Sequence, residues 1–162
     1  MKRLSVLFAA VLMMVSFTVI KAQKLAHADI AGILTAMPEM KKANEQLEAL
    51  GKMKQAELGK LQQAFQDKVQ AYQKGGKQDA AKEAELQKEG DNIQKMGQAA
   101  QKDVADKQET LYAPIDKKLN DAIGAVAKAK GLEYVFDANG QGLVYKGGLD
   151  VTADIKKQLG IQ

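Results

Sequence analysis

Any chemistry in this chain would have to come from few residue types, since its 162 residues include no cysteine and a single histidine, His27. Gly75-Gly76-Lys77 resembles part of a phosphate loop, in which backbone N–H groups wrap an anion and a lysine follows. The first glycine, the hydroxyl residue after the lysine and a preceding strand are all absent, so the pair reads as a turn between helices. Asp137-Ala138-Asn139-Gly140-Gln141-Gly142 places oxygen ligands at alternate positions, as a calcium loop does. The twelfth position, however, is Gly148 rather than a bidentate glutamate, and strand-like segments flank the loop, so it reads as a hairpin turn. Without a second histidine or a thiolate, His27 is a poor zinc ligand or general base and reads as a residue on a strand face. Acid and lysine neighbours such as Glu85 and Lys88 read as solvated helix faces with small pair energies. No catalytic, metal-binding or cofactor-binding set emerges, and the chain is not expected to be an enzyme.

Between Pro38 and Lys130 the sequence is almost unbroken helix former, rich in Ala, Gln, Lys and Glu. Leu47, Leu50, Met53, Leu58, Leu61, Phe65, Val69 and Tyr72 form a drifting apolar stripe near helical period. Gly75-Gly76 ends that helix through residues that accept positive φ. The return has Leu86, Ile93 and Ala100 at seven-residue spacing, then Val104, Leu111, Ile115, Leu119, Ile123 and Val126. Large apolar residues are therefore sparse near the tip and denser beyond Val104. A fold-back between Gly75 and Gly76 makes facing residue numbers sum to about 151 and sets Pro38 beside Pro114. A proline inside a helix removes a hydrogen bond and commonly kinks it, so Pro114, with Gly75 and Gly76, is a predicted hinge. Each arm helix would be about 50 Å long at 1.5 Å per residue.

Lys24 to Ile30 is a weak strand pattern, with Leu25, His27 and Asp29 on one face and Ala26, Ala28 and Ile30 on the other. Leu132 to Asp137 alternates, Asn139-Gly140 is a strong two-residue turn signal, and Leu143-Val144-Tyr145 follows, which predicts a hairpin. Asp150 or Thr152 then caps a short helix carrying Ile155 and Leu159. Three short strands leave open edges and no independently stable sheet. With no Trp and few other aromatics, the chain has little from which to build a core. Closing the sheet with further copies is the simplest solution, so a homo-oligomer is expected.

Lys2 and Arg3 precede an uncharged apolar run from Leu4 to Ile20, and Ile20-Lys21-Ala22 offers an acceptable cleavage site. Residues 1–22 read as a signal peptide cleaved after Ala22. The alternative is a retained anchor, but a run of about 17 residues is at the short limit for spanning a bilayer. Lacking cysteine, the chain has no lipoprotein attachment site. Removing residues 1–22 leaves 21 lysines against 20 acids, a net charge of +1, and no arginine. That balance argues against nucleic acid as a partner, and bidentate guanidinium recognition is absent.

The arm mixes small apolar residues (Ala80, Ala81, Ala84, Met96, Ala99 and Ala100) with Lys and Gln. Several such arms around a cavity would hold an unfolded apolar client by many weak contacts; an ordinary coiled-coil spacer accounts for the same pattern. The candidate client-contacting residues are Phe65, Val69, Tyr72, Ala84, Met96 and Ala99, with Lys68 and Lys95 among the lysines that would attract acidic segments.

Leu25-Ala26-His27-Ala28-Asp29-Ile30, the hairpin, Ala127 to Asp137 with Gly131 in its middle, and Leu149-Asp150-Val151-Thr152 with Ile155 and Leu159 together resemble the Skp/OmpH family of periplasmic chaperones. The resemblance covers essentially the whole chain after the signal segment, and the Asp150-Val151-Thr152 region is its most specific part. It implies a mainly α protein: a long antiparallel coiled-coil arm at 38–111, with its tip at 75–76. A small β body at 23–37 and 112–162 would carry strands that form an intersubunit barrel in a homotrimer. Leu25, Ile30, Val135, Phe136, Val144, Ile155 and Leu159 would build that body. The implied function is an ATP-independent periplasmic holdase that binds unfolded outer-membrane proteins between its arms. The implied partners are those β-barrel proteins, other copies of the chain and, transiently, a membrane surface. His27 departs from the larger aromatic or aliphatic residue usual in the family. The arm also lacks the arginines of a lipopolysaccharide site proposed for some members, so that site is not carried over. A structural adaptor or spacer of the cell envelope is the alternative reading.

Overall fold

Two alanines on one face of a strand let a helix approach closely, and the body grows from that contact. In the computed structural model, which describes residues 24–76, 79–142 and 144–161, Leu25–Ala28 is strand β1 with Ala26 and Ala28 buried. The expected strand ran on to Ile30, but Asp29 ends it. Its carboxylate accepts the Gly32 amide at 2.9 Å and caps helix α1, Ile30–Ala36. Met37 is extended and almost wholly buried. Pro38 then opens helix α2, Pro38–Lys74, at the position where its missing N–H costs nothing, with Glu39 in the first turn. The expected signal peptide lies outside the described residues.

α2 ends in the Gly75-Gly76 turn, where Gly75 donates to the Ala71 and Tyr72 carbonyls and Gly76 has φ +63°. Helix α3 runs from Ala80 to Lys130, continues through Pro114, and stops at Gly131, whose φ of +62° suits glycine. Its start is set by Asp79, whose carboxylate accepts the Ala81 and Lys82 amides. The register across the arm also differs from the expected one. Glu39 meets Lys118 rather than residue 112, Lys54 meets Asp103, and Lys68 meets Glu89. Pro114 is thus not beside Pro38; it borders a surface hollow with Lys42, Ala43 and Gln46.

The sheet differs from the predicted hairpin. β2, Tyr134–Asp137, and β3, Leu149–Asp150, flank β1 on opposite sides, and both run parallel to it. Leu25 aligns with Tyr134 and His27 with Phe136 on one side, while His27 aligns with Asp150 on the other. Asn139-Gly140 does form a turn: Gly140 donates to the Asp137 carbonyl and the Asn139 amide to the Asp137 side chain. The Asn139 side chain also donates to Asp29, which ties the turn to the start of α1 rather than sending the chain back along β2. Val144 and Tyr145 consequently stand in solvent, and the Leu143 part of the expected strand lies outside the described residues.

Helix α4, Thr152–Leu159, closes the body. Val151 holds its N-cap position without a side-chain bond, and the expected capping falls to Asp150, whose carboxylate accepts the Thr152 amide at 2.8 Å. Ala28, Ile33, Leu119, Val126, Val151 and Ile155 form the main core, with Ile30, Val135 and Leu159 packed on it. Met37, Ala43 and Ile115 form a second cluster where arm and body meet. Burying an aliphatic side chain the size of Ile155 contributes about 1.5–3 kcal/mol, so these two clusters carry most of the apolar stabilisation within one chain.

Candidate functional site: the helical arm and the outer sheet face

The arm residues divide into two sets. Phe65, Val69 and Tyr72 recur at spacings of four and three on the stripe of α2 and are half-buried, as are Leu58, Leu61, Leu86 and Ile93. The Phe65 ring lies over Gly90, where an added Cβ would come within 3.4 Å of its Cζ. Those three candidates therefore fill the seam between α2 and α3. Ala84, Ala99, Lys68, Lys95 and Met96 are on the surface. Met96 and Ala99 border a shallow depression with Leu58 and Ala100. Met53 is 57% exposed, more so than Met96 at 40%, and is an additional surface apolar residue on α2. Stripe membership alone did not reveal which of these methionines points outward.

Lys68 is not a free charge, because its ammonium donates to Glu89 at 2.6 Å across the seam. Lys54 with Asp103 and Lys118 with Glu39 make similar bridges. The Asp103 hydrogen bond raises the Lys54 ammonium above its ordinary range, and the Lys118 hydrogen bond lowers the Glu39 carboxyl below its own. Exposed pairs of this kind each contribute at most about 1 kcal/mol. At the tip, the Tyr72 hydroxyl accepts the Asp79 amide at 2.9 Å and donates to Glu83 at 2.8 Å. The residue placed among the client contacts thus also laces together the turn around Gly75 and Gly76. Neither Asp79 nor this role of Tyr72 was read from the sequence. An Asp just ahead of a helical run is a usable cap signal.

The predicted body residues also divide. Ile30, Val135, Ile155 and Leu159 belong to the interior. Leu25 and Phe136 project from the other sheet face, 40% and 46% exposed, and Val144 lies on the following loop. Tyr134, in register with Leu25, adds to this outward apolar surface, and Tyr145 and Leu149 are exposed as well; none of the three was among the predicted body residues. Tyr134 stacks on Phe136 with ring centroids 6.2 Å apart. Among the described residues no strand pairs beyond β2 or β3, so both sheet edges are open in the single chain. His27 sits on this outer face and is 9% exposed, with Lys146 and Asp150 around its ring. No group of three His, Cys, Asp or Glu among the described residues is arranged to hold a metal ion.

Residues 24–159 match the family model described as "Outer membrane protein (OmpH-like)". The chain is 29% identical over 149 residues to the chaperone protein Skp of Pectobacterium atrosepticum, covering 89% of this chain and 90% of that one. It is 28% identical over 145 residues to the Skp of Yersinia enterocolitica, covering 86% and 88%. A crystal structure from Caulobacter crescentus CB15, described as an OmpH-like outer membrane chaperone, superposes with a TM-score of 0.68 at 19% identity, covering 85% of this chain and 84% of that one. That neighbour shares the fold of a two-helix arm on a small strand-containing body. With the family match spanning β1 through α4, this chain belongs to the OmpH-like outer membrane protein family.

Proposed function

We propose that this chain is an ATP-independent holdase of the periplasm, exported by a signal peptide at residues 1–22 and active as a homotrimer. It holds unfolded outer-membrane proteins between its arms and keeps them from aggregating. The relatives it matches are chaperones, and this chain is not an enzyme. The observation that carries the reading is the contrast between a long, lightly packed arm and a small body with an outward apolar face. Unfolded transmembrane strands alternate apolar and polar residues and expose pairing edges prone to aggregation. An enclosure of soft arms excludes other chains from them, and many weak contacts suit clients of different sequence. Met53, Met96, Ala84, Ala99 and Lys95 are the surface residues best placed for such contacts. Phe65, Val69 and Tyr72 act indirectly, by holding the arm's shape.

The second reading, a spacer or adaptor of the cell envelope, is favoured by the ion pairs that bridge the seam between α2 and α3. A client-protection assay separates the two. The holdase is expected to suppress aggregation of several unrelated barrel proteins. Met96→Ala should weaken protection only slightly, whereas removing residues 51–103, with a short turn in their place, should abolish it. Protection of no barrel protein, with tight binding of one folded partner, would replace the holdase with the adaptor.

A further inference from the structure

Among the described residues, His27 is the one nearly buried ionisable side chain in the body that the proposed function does not use. Its Nε2 lies 3.3 Å from the Lys146 carbonyl oxygen. A carbonyl only accepts, so that contact requires the proton on Nε2. Nδ1 is then left as a bare acceptor, buried and without a hydrogen-bond partner. It faces the Asp150 carboxylate, another acceptor, at 3.9 Å. In the neutral imidazole two lone-pair groups thus confront each other, and a proton on Nδ1 would turn that confrontation into an ion pair.

The two groups touched by the ring come from opposite ends of one bend. Lys146 precedes Gly147-Gly148, where Gly148 has φ +112°, and Asp150 follows in β3. β3 is only two residues long, and the Val151 amide continues its pairing by donating to the His27 carbonyl at 2.9 Å. We propose that His27 is a proton-operated clasp: protonated, it holds the bend and edge strand β3 against β1, and neutral, it lets them loosen. Acid therefore tightens this edge of the sheet, and the effect is lost when rising pH removes the added proton.

The surrounding charges fit this direction. Asp150 is the facing acid from β3. Hydrogen bonds from Thr152, then the proximity of His27 and Lys146, hold its carboxyl below the usual range, so it stays anionic where imidazole titrates. From the loop the facing cation is Lys146, whose ammonium donates to Asn139 Oδ1 at 3.2 Å. β2 places Phe136 beside the ring, with Tyr134 and Asp137 at its ends; Asp137 accepts the Asn139 amide. On β1 itself, Asp29 is occupied by the Gly32 amide and the Asn139 side chain.

The test is amide hydrogen exchange on the full protein, read as protection factors between about pH 8 and about pH 5.5, with the single histidine followed by NMR in the same samples. Val151 protection is expected to rise about two- to fivefold as the imidazole protonates, the scale of a half-exposed ion pair. The Ala138 amide, held by the Ala28 carbonyl on the β2 side of β1, should stay flat. Asp150→Asn keeps an oxygen to cap Thr152 but removes the charge, and should abolish the rise. His27→Gln should do the same where it folds. A flat Val151 profile, a parallel rise at Ala138, or an unchanged rise in Asp150→Asn would each overturn the clasp.

Discussion

The arm and the body share the helices α2 and α3, yet the same helices are packed by different rules at their two ends. In the body α3 buries Leu119, Ala122 and Val126 against Ile33, Val151 and Ile155, and Ile115 against Met37 and Ala43. Between Ala43 and Ile115, Ala100 is the one buried hydrophobic residue among those described. There the seam is made of half-exposed apolar side chains, a phenylalanine over a glycine, and lysine–carboxylate bridges. Apolar burial scales with area and surface ion pairs contribute little. A rigid platform and a yielding arm can thus belong to one pair of helices, and local opening should be graded along them.

Truncating one side chain in each region probes that contrast most strongly. Ile155→Ala or Leu119→Ala should cost about 2–5 kcal/mol, as large-to-small changes in closed cores do. Leu58→Ala or Leu86→Ala in the half-exposed seam should cost about 1 kcal/mol or less. Urea denaturation followed by circular dichroism compares them directly, and equal losses would break the distinction. A smaller effect is expected at the tip. Asp79→Ala removes the cap of α3, worth about 1 kcal/mol. It should speed hydrogen exchange from Ala81 to Leu86 while leaving the Leu119 amide as slow as before; slowing or speeding both together would mean that arm and body open as one unit.

The smallest effect sharpens the boundary. Glu39 joins the root of the arm to α3 through Lys118, and that hydrogen bond holds its carboxyl below the usual range. A lowered folded-state value means that the contribution is complete above the ordinary carboxylate range and fades as pH falls through the lowered one. Acidification from about pH 6 to about pH 3 should loosen the α2 root. Glu39→Gln should remove part of that acid response in exchange rates near Met40. An identical acid profile in both proteins would take Glu39 out of the boundary.

Much of this architecture is readable residue by residue. Pro38 with Glu39, the Gly75-Gly76 break, Gly131 and the thickening of apolar residues past Val104 are local signals, and each structural element follows from its own neighbours. The strand partners are different. A parallel pair joined through an entire helical arm has no connecting turn to announce it, whereas Asn139-Gly140 carries a strong local signature for a pairing that the single chain does not make. The register erred for a related reason: a pair of glycines marks where a helix ends, but Asp79 decides where the next begins. At the arm, periodicity identified the stripe that holds Phe65 and Tyr72. An antiparallel hairpin uses its stripe to hold itself together, so outward residues such as Met53 had to be seen rather than inferred.

The central position of β1 has a consequence for the order in which the chain matures. The strand that both other strands need is at the beginning of the described chain, and the Asp29 amide bonds to Thr152, 123 positions later. A growing chain can wind α2 and α3 from local contacts as soon as they emerge, because helix formation proceeds in microseconds or less. The sheet must wait until Leu149 and Asp150 have followed the whole arm, and its long-range closure is intrinsically slow. Until then β1 is an unpaired edge at the foot of a finished arm.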